Sequence, residues 1–445
     1  MRIFNNSPLE RFIIFAAAIF FSILGLDSDF CAGISIVLLL LIFSRNSIED
    51  GLGPLTVLTL VYTIYILPRS LTILFGSSQY FELFSVDLEN REWVVILTLE
   101  SILFVMGYLA STPRSNQFAF TVTQKIEGTD VWIMWGSIAI SLSTILLYVN
   151  SMGGISSILS EYSAERYIEI TENEKISFVK NIAIYSLMGA FIFSSSVYLR
   201  NGIKFYIYAL ISVGAIFISI LFIKREYLLD VLIVIALVGW LKGFLKNWVT
   251  VFVVSTVALL TMFGLYLWRS AIDFTEINSS ISSIFNTAEF WVFDQFVLVT
   301  QSGFDLVGWD YGNRIALATV APFLDFSEYV PLDWLLVESA TGIKRWGIPP
   351  TIFGYIFIVY GWVGIFFIAP VFGYSIGLVR SLLLSRLNLG AVWFAVYALF
   401  LMFVWFLFRN GDPAIAVFFT NRIAIYVLFV FFISNILSSK RSPMV

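Results

Sequence analysis

Arginine side chains stand in or beside apolar segments along this sequence, and they are its clearest candidates for chemistry. Arg225 and Arg269 lie in polar links at the ends of apolar runs, Arg314 and Arg345 lie in a long polar segment, and Arg422 lies inside the last apolar run. A guanidinium group stays charged when it loses water, and it binds phosphate oxygens through a planar fork. These five arginines are therefore candidates for binding a phosphate or pyrophosphate, with Arg225 and Arg269 as first choices.

The chain contains no histidine, and this limits the groups that could act as a general acid or base. Only Asp, Glu, Lys and Tyr remain, and a histidine-ligated metal site is excluded. A reacting hydroxyl would need a carboxylate as its base or hydrogen-bond acceptor. Asp294, Asp310 and Glu338 in the long polar segment are equal candidates, and a solvated loop charge is the alternative interpretation of each.

The composition indicates that these residues belong to a membrane protein. Hydrophobic residues make up 59% of the chain and charged residues 13%, whereas soluble domains have roughly 45–50% and about 25%. Because a helix needs about 20 apolar residues to cross a bilayer, we predict an all-α polytopic integral membrane protein with about twelve transmembrane helices. The predicted helices lie near 12–26, 30–43, 52–75, 93–110, 131–149, 178–199, 205–223, 228–245, 248–268, 351–379, 390–408 and 414–437.

The distribution of charge between the connecting segments predicts the orientation. Short links rich in Lys and Arg alternate with three longer, more acidic links at 76–92, 150–177 and 269–350. Cations are enriched in cytoplasmic links, so we expect both termini in the cytoplasm and the longer links outside. We predict a single transmembrane domain over residues 1–445, with 269–350 as a large outer loop that contains short helices and precedes the last three spans.

Ionisable residues in the predicted spans, or at their outer ends, lie on one side of the membrane in this topology. They are Arg69, Glu100, Lys180, Lys224, Arg225, Glu226, Asp230, Arg269, Arg409, Asp412 and Arg422. An arginine deep in a helix costs roughly 2.5–3.5 kcal/mol, so Arg422 should face protein or water. The one-sided distribution predicts an outward-facing polar cavity, whereas an alternating-access transporter places charges near the midplane. Snorkelling and pairing, for example of Arg409 with Asp412, are the alternative.

The segment 346–367 reads WGIPPTIFGYIFIVYGWVGIFF and begins the first span after the large loop. Pro349 and Pro350 suit the start of a helix, where the missing N–H groups have no partner to lose. Gly354, Gly361 and Gly364 allow another helix to approach closely. We therefore predict that the loop enters a tightly packed helix here.

Three segments of the chain resemble the O-antigen polymerase family, the Wzy-type oligosaccharide repeat-unit polymerases of bacterial envelopes. GIPPTIFGYIFIVYGWVGI is similar to the family's glycine-punctuated helix after the large loop, FIKREYLLDVLIVIAL to its basic pair between spans, and RNGDPAIAVFF to its short polar link before the last helix. The overall plan is similar over the whole chain. Some members carry an arginine followed eleven positions later by glycine, but Arg166 and Arg269 are followed there by Ser177 and Ser280, so that pattern assigns no catalytic arginine.

The resemblance implies a fold, a reaction and a location. The fold would be that of a GT-C-like membrane glycosyltransferase in the bacterial inner membrane. The enzyme would transfer a growing O-antigen, capsule or exopolysaccharide chain from undecaprenyl pyrophosphate to a new repeat unit at the periplasmic face. The arginines would stabilise the pyrophosphate, and no cofactor or metal is expected. The expected partners are the undecaprenyl-pyrophosphate-linked oligosaccharide, membrane lipid and a chain-length regulator protein, with no nucleic acid.

Other functions fit parts of the same sequence. A lipid-linked oligosaccharide flippase or exporter has about twelve spans, but one-sided charge and a long outer loop count against it. An O-antigen ligase would share the leaving group and arginines, but such ligases often rely on a loop histidine that is absent here. The acidic turn from Asp27 to Asp29 is a rival site, because other membrane glycosyltransferases carry a metal-binding or base aspartate in the first outer loop, and two helix-ending acids are the alternative.

Overall fold

The computed structural model describes residues 8–67, 70, 74, 90–112, 128–160, 174–222, 225–245, 338 and 350–439. Over these ranges the protein is helical, without β-strands. Seven of the described helical segments are long and apolar enough to cross a membrane, and two further apolar helices are shorter. The prediction of an all-helical polytopic membrane protein is confirmed at this level. The prediction of about twelve spans stays a prediction.

Where the whole link between two consecutive helices is described, that link is short. In chain order the described helices are α1 (Pro8–Leu24), α2 (Asp29–Asp50), α3 (Pro54–Val61), α4 (Asn90–Ser111), α5 (Gly128–Ser151), α6 (Ile155–Ser160), α7 (Glu174–Leu199), α8 (Phe205–Leu221), α9 (Arg225–Leu241), α10 (Thr351–Val363), α11 (Ala369–Arg386), α12 (Ala391–Asn410) and α13 (Pro413–Ser439). Tyr62–Ile66 and Gly364–Ile368 are π-helical, and Leu387–Leu389 form a 3₁₀ turn.

The chain divides into two compact units, and neither is a continuous stretch of sequence. Unit 1 comprises Met1–Gln117, Phe274–Leu382 and Phe403–Phe418, and unit 2 comprises Phe118–Asp273, Leu383–Met402 and Phe419–Val445. Helices α11, α12 and α13 each contribute residues to both units. The prediction of a single transmembrane domain over 1–445 stays a prediction.

Helix α4 lies at the centre of the described part of unit 1, where it packs against α1, α2, α10 and the π-helical stretch before α11. A Cβ atom on Gly107 would overlap the carbonyl oxygen of Pro370, and one on Gly373 would overlap that of Phe104. The backbones of α4 and α11 are therefore in direct contact, because neither glycine places a side chain between them.

The chain reverses direction inside α10 at Gly361. This glycine has a φ of 57° and a ψ of −143° within an otherwise helical segment. A Cβ atom on Gly364 would lie 2.6 Å from the carbonyl oxygen of Ile356, although residues eight apart in a straight helix are separated by roughly 12 Å. The tightly packed partner of Gly364 is thus α10 itself.

Aromatic contacts confirm this reversal independently. The ring of Phe104 on α4 lies 5.9 Å from the ring of Phe353 and 6.1 Å from that of Phe372. Nineteen residues of straight helix would hold Phe353 and Phe372 roughly 28 Å apart. The prediction of one uninterrupted helix over 351–379 is therefore wrong. Apolarity alone could not distinguish a straight span from two apolar arms that pack against each other.

The two arms of this hairpin differ in length. The arm before the break, residues 351–360, is about 15 Å long, whereas residues 362–386 extend over about 37 Å at 1.5 Å per residue. Only the second arm is long enough for a hydrocarbon core about 30 Å thick. The helix start at Thr351 therefore lies about halfway along the second arm, counted from the break at Gly361.

A buried ion pair joins three helices of unit 1. Arg380 Nε on α11 lies 2.6 Å from Asp50 Oδ1 at the end of α2, and both side chains are less than a tenth exposed. The Tyr108 hydroxyl on α4 donates to the same carboxylate at 2.7 Å, and the Leu55 amide donates at 3.1 Å. Burial raises the pKa of the Asp50 carboxyl, and the charge of Arg380 with these hydrogen bonds opposes that shift.

Unit 2 has a comparable polar contact at one end of its helices. Arg200, directly after α7, donates to Asp130 at the start of α5 over 3.0 Å. The Ser434 hydroxyl on α13 donates to the same carboxylate. Burial lowers the pKa of Arg200, and the charge of Asp130 opposes that shift. Helices α5, α7 and α13 are thereby held in register at this end.

We expect that breaking the buried pair of unit 1 will destabilise the protein strongly. Arg380→Met leaves the Asp50 carboxylate buried without its counter-ion, and this typically costs about 3–5 kcal/mol. The double variant Asp50→Asn/Arg380→Met removes both charges and should recover part of the loss. The control is Arg45→Met, since the pair of Arg45 with Glu10 is more exposed and should contribute roughly 0–1 kcal/mol. Melting temperatures in detergent measure all three, and equal losses for Arg380→Met and Arg45→Met would contradict the expectation.

We also expect that Gly107 cannot be replaced even by alanine. The added methyl group would overlap the Pro370 carbonyl oxygen, so α4 and α11 must separate, at a cost of about 1–3 kcal/mol. Gly136→Ala is the matched control, because nothing lies within 4 Å of a Cβ atom there and alanine favours the helix by about 1 kcal/mol. Thermal unfolding of the two purified variants should change in opposite directions, and a Gly107→Ala variant as stable as wild type would contradict the close packing.

Candidate functional site

Most of the predicted site residues belong to parts of the chain that the structure does not describe. Asp294, Asp310, Arg269, Arg314 and Arg345 all lie outside the described residues. Their proposed roles as base candidates and pyrophosphate ligands remain predictions from the sequence.

Three predicted site residues are described. Arg225 is the first residue of α9, and the structure gives its backbone position only. Glu338 is described by itself, as a half-buried residue with helical backbone. Arg422 is half-buried on α13, and its position can be analysed in detail.

Arg422 lies within a candidate membrane span and faces other protein groups. Its Nη1 atom donates a hydrogen bond to the Tyr185 hydroxyl on α7 at 3.3 Å. It follows Pro413, the first residue of α13, by about two and a half helical turns. A guanidinium group facing lipid is costly, so the contact of Arg422 with protein is expected.

The packing of α7 against α13 determines where Arg422 stands. A Cβ atom on Gly189 would overlap the ring of Tyr426, so these helices approach closely at that level. One turn further along, the rings of Phe193 and Phe431 meet edge to face at 4.9 Å. Arg422 lies one turn before Tyr426 on α13, and Tyr185 lies one turn before Gly189 on α7. The contact between Gly189 and Tyr426 therefore also brings the Arg422 guanidinium group opposite the Tyr185 hydroxyl.

A second cation lies in the half of α7 that contains Tyr185, the partner of Arg422. Lys180 is 4% exposed and precedes Tyr185 by somewhat more than one turn. Ser434 lies at the end of unit 2 where Arg200 contacts Asp130. Arg422 is about 18 Å of helix away from Ser434 along α13. Lys180 and Arg422 are therefore two buried or half-buried cations of unit 2 that lie well away from its polar end.

In unit 1, the link between α12 and α13 packs against the buried start of α10. Gly411 has a φ of 77°, and a Cβ atom there would overlap the carbonyl oxygen of Thr351. Thr351 itself has a φ of 65°, a conformation rarely adopted by a β-branched residue. Asp412 is 2% exposed, and its carboxylate accepts the amide of Ala414 at 2.9 Å, so it caps α13. Arg409 donates to Asn410 at the end of α12.

The rival acidic turn has a structural role in the described residues. Ser28 caps α2 by accepting the Cys31 amide at 3.5 Å, and Asp29 occupies the first helical turn, where a negative charge is favourable. Among the described residues, no group of three or more Cys, Asp or Glu side chains is arranged to hold a metal ion.

Sequence reasoning missed two features of these sites. The reversal at Gly361 had a signal, because glycines at 361 and 364 bracket the turn, but the same spacing also suits helix packing. No signal in the sequence indicated the burial of Asp50, because a carboxylate at a helix end normally faces water.

No protein-family model, curated protein or solved structure matches the chain.

We expect Arg422 to contribute to binding of an anionic lipid. Removing one charge-assisted hydrogen bond costs about 1.5–3 kcal/mol, so Arg422→Met should weaken binding of undecaprenyl pyrophosphate roughly tenfold to a hundredfold. Tyr185→Phe removes only the group that orients the guanidinium and should have a smaller effect. Arg386→Met is the control for lost charge, since Arg386 stacks on Trp393 at 4.7 Å. Native mass spectrometry of the purified protein measures binding, and unchanged affinity in Arg422→Met would remove Arg422 from the site.

Proposed function

We propose that this protein polymerises lipid-linked oligosaccharide repeat units. It transfers the growing glycan from undecaprenyl pyrophosphate to a new repeat unit at the periplasmic face of the bacterial inner membrane. The resemblance of three segments to O-antigen polymerases motivates the proposal. The observation that carries it in the described residues is Arg422, a guanidinium group held by Tyr185 inside an apolar helix.

The proposed reaction breaks the bond between the anomeric carbon of the donor glycan and the pyrophosphate oxygen. A hydroxyl oxygen of the acceptor repeat unit forms the new glycosidic bond and loses its proton to a carboxylate, for which Asp294, Asp310 and Glu338 are the candidates. The pyrophosphate leaves with increased negative charge. Fixed guanidinium groups stabilise such charge best in a dry site, where Coulomb interactions are strong.

The proposal includes the finer features of the predicted architecture. These are a GT-C-like fold with about twelve spans, cytoplasmic termini and residues 269–350 in the periplasm. Arg225 and Arg269 are the first-choice ligands of the pyrophosphate, followed by Arg314, Arg345 and Arg422. Neither a cofactor nor a metal ion has a part in the proposed reaction.

A flippase for the same lipid-linked sugars is the second candidate. The observation that favours it is the reversal at Gly361, because transporters build their sites from interrupted helices near the middle of the membrane. The helix start at Thr351 lies at such a depth relative to the arm 362–386.

The proposed function predicts a specific defect in a deletion strain. Without polymerisation, ligation continues, so the final acceptor should carry a single repeat unit and the ladder of longer glycans should be lost from a gel. Unflipped lipid-linked units on the inner leaflet would identify a flippase instead. Polymer retained on the lipid carrier, with no attached sugar, would identify a ligase.

Purified components test the chemistry directly. Arg225→Ala and Arg269→Ala should each polymerise purified lipid-linked repeat units roughly thirtyfold to several thousandfold more slowly, since truncating a desolvated charge pair costs about 2–5 kcal/mol. Lysine at either position should recover part of the rate because it keeps the charge but loses the fork. With protein amounts matched, wild-type rates in both alanine variants would place the pyrophosphate elsewhere.

A further inference from the structure

Glu100 on α4 is a fully buried acid that the proposed reaction does not use. It is 0% exposed, and within the described part of the chain neither of its carboxyl oxygens has a hydrogen-bond partner. A carboxylate without water, partner or counter-ion is far more costly than a neutral carboxyl group. Glu100 therefore holds its proton in this conformation, and a buried acid that makes no hydrogen bond gives the fold no stability in return.

Two ion pairs engage charged groups on the helices that pack against α4. Arg45 on α2 pairs with Glu10 on α1 at 3.2 Å, and Arg380 pairs with Asp50. The Tyr108 hydroxyl that joins the second pair follows Glu100 by about 12 Å of helix. The other titratable side chains that the structure describes on these elements are Arg11, Asp29, Cys31, Tyr355, Tyr360, Tyr374 and Arg386. Glu100 is hydrogen-bonded to none of them.

The element beside Glu100 has irregular backbone. Phe104, one turn along α4, contacts both arms of the hairpin, at Phe353 and Phe372. Glu100 precedes it by one turn, at the level of the π-helical stretch Gly364–Ile368, which packs against α4. Single π-helical turns in α-helices are frequent at functional sites. Two apolar arms that meet at a glycine form an element able to pack in more than one way.

The enclosure of Glu100 limits what it can bind. Any ligand larger than a proton would have to displace the side chains around it. We propose that Glu100 is a proton-exchange site within the membrane, and that it exchanges with water when residues 351–368, the part of the hairpin before α11, move away from α4. In the exchange the carboxyl O–H bond breaks, the electron pair stays on the carboxylate oxygen, and the proton passes to water. The return of the hairpin requires that a proton be taken up again.

Dicyclohexylcarbodiimide tests this proposal, because this apolar reagent reacts with protonated carboxyl groups. The O–H group adds across one C=N bond, and the acyl group then shifts to nitrogen, so that an acylurea remains on the protein and nothing leaves. Mass spectrometry of the intact, folded protein should find the adduct at Glu100 and not at Glu10, which is paired with Arg45. Glu100→Gln should lose it. A folded protein that stays unlabelled at Glu100 would show that the hairpin never opens and would overturn the proposal.

Substitutions separate proton exchange from a merely structural role. In this proposal the hairpin opens in each round of polymer formation, although Glu100 takes no part in the bond-changing step. Glu100→Gln keeps the shape but cannot release a proton, so polymer formation should fall on the order of a hundredfold or more. Glu100→Asp should keep part of the activity. Glu100→Met should be as inactive as Gln but melt at or above the wild-type temperature, because an apolar side chain suits the site. Wild-type activity in Glu100→Gln, or a large loss of melting temperature in Glu100→Met, would each overturn the proposal.

The activity measurement depends on the proposed polymerase function, whereas labelling and melting do not. If the wild-type protein forms no polymer but Glu100 is labelled and Glu100→Met is stable, the polymerase proposal fails and the proton site stands. If polymer forms and Glu100 is not labelled, the polymerase proposal stands and the proton-exchange proposal fails.

Discussion

Direct contact between the backbones of α4 and α11 is the constraint on which the described part of unit 1 depends. Gly107 and Gly373 permit it, since a side chain on either would overlap a carbonyl oxygen of the other helix. Once these helices are in contact, Tyr108 can reach the carboxylate that Arg380 also binds, and Phe104 can contact both arms of the hairpin. Helices in lipid gain little from hydrophobic burial against each other, so such close contacts and buried polar bonds must supply the specificity.

The sequence predicted the helical class well, because runs of about 20 apolar residues have few structural alternatives. It also identified the sharp helix start at the proline pair, since α10 begins directly after Pro350. It could not predict the depth of that start. Depth depends on whether Gly361 continues the helix or reverses it, and hydropathy is the same in both cases.

The candidate site was predictable by residue type more than by position. Arg422 was expected to face protein because a lipid-facing guanidinium is costly, and the structure places it against Tyr185. Its partner could not be found from the sequence, because the pairing depends on the register of α7 against α13. The contact of Gly189 with Tyr426, two residues 237 positions apart in the chain, sets that register. The burial of Asp50 and Asp130 could not be predicted either, because it depends on tertiary contacts with Arg380 and Arg200, which are distant in the sequence.

The reversal at Gly361 also affects how the membrane crossings of this chain must be counted. Thr351–Arg386 is one apolar run of 36 residues, and a hydropathy profile can divide it into two crossings or treat it as a single tilted one. The arm before Gly361 is about half the thickness of the hydrocarbon core, so it is too short to be counted as a crossing by itself. The described run therefore supplies one arm of crossing length, residues 362–386, and not two.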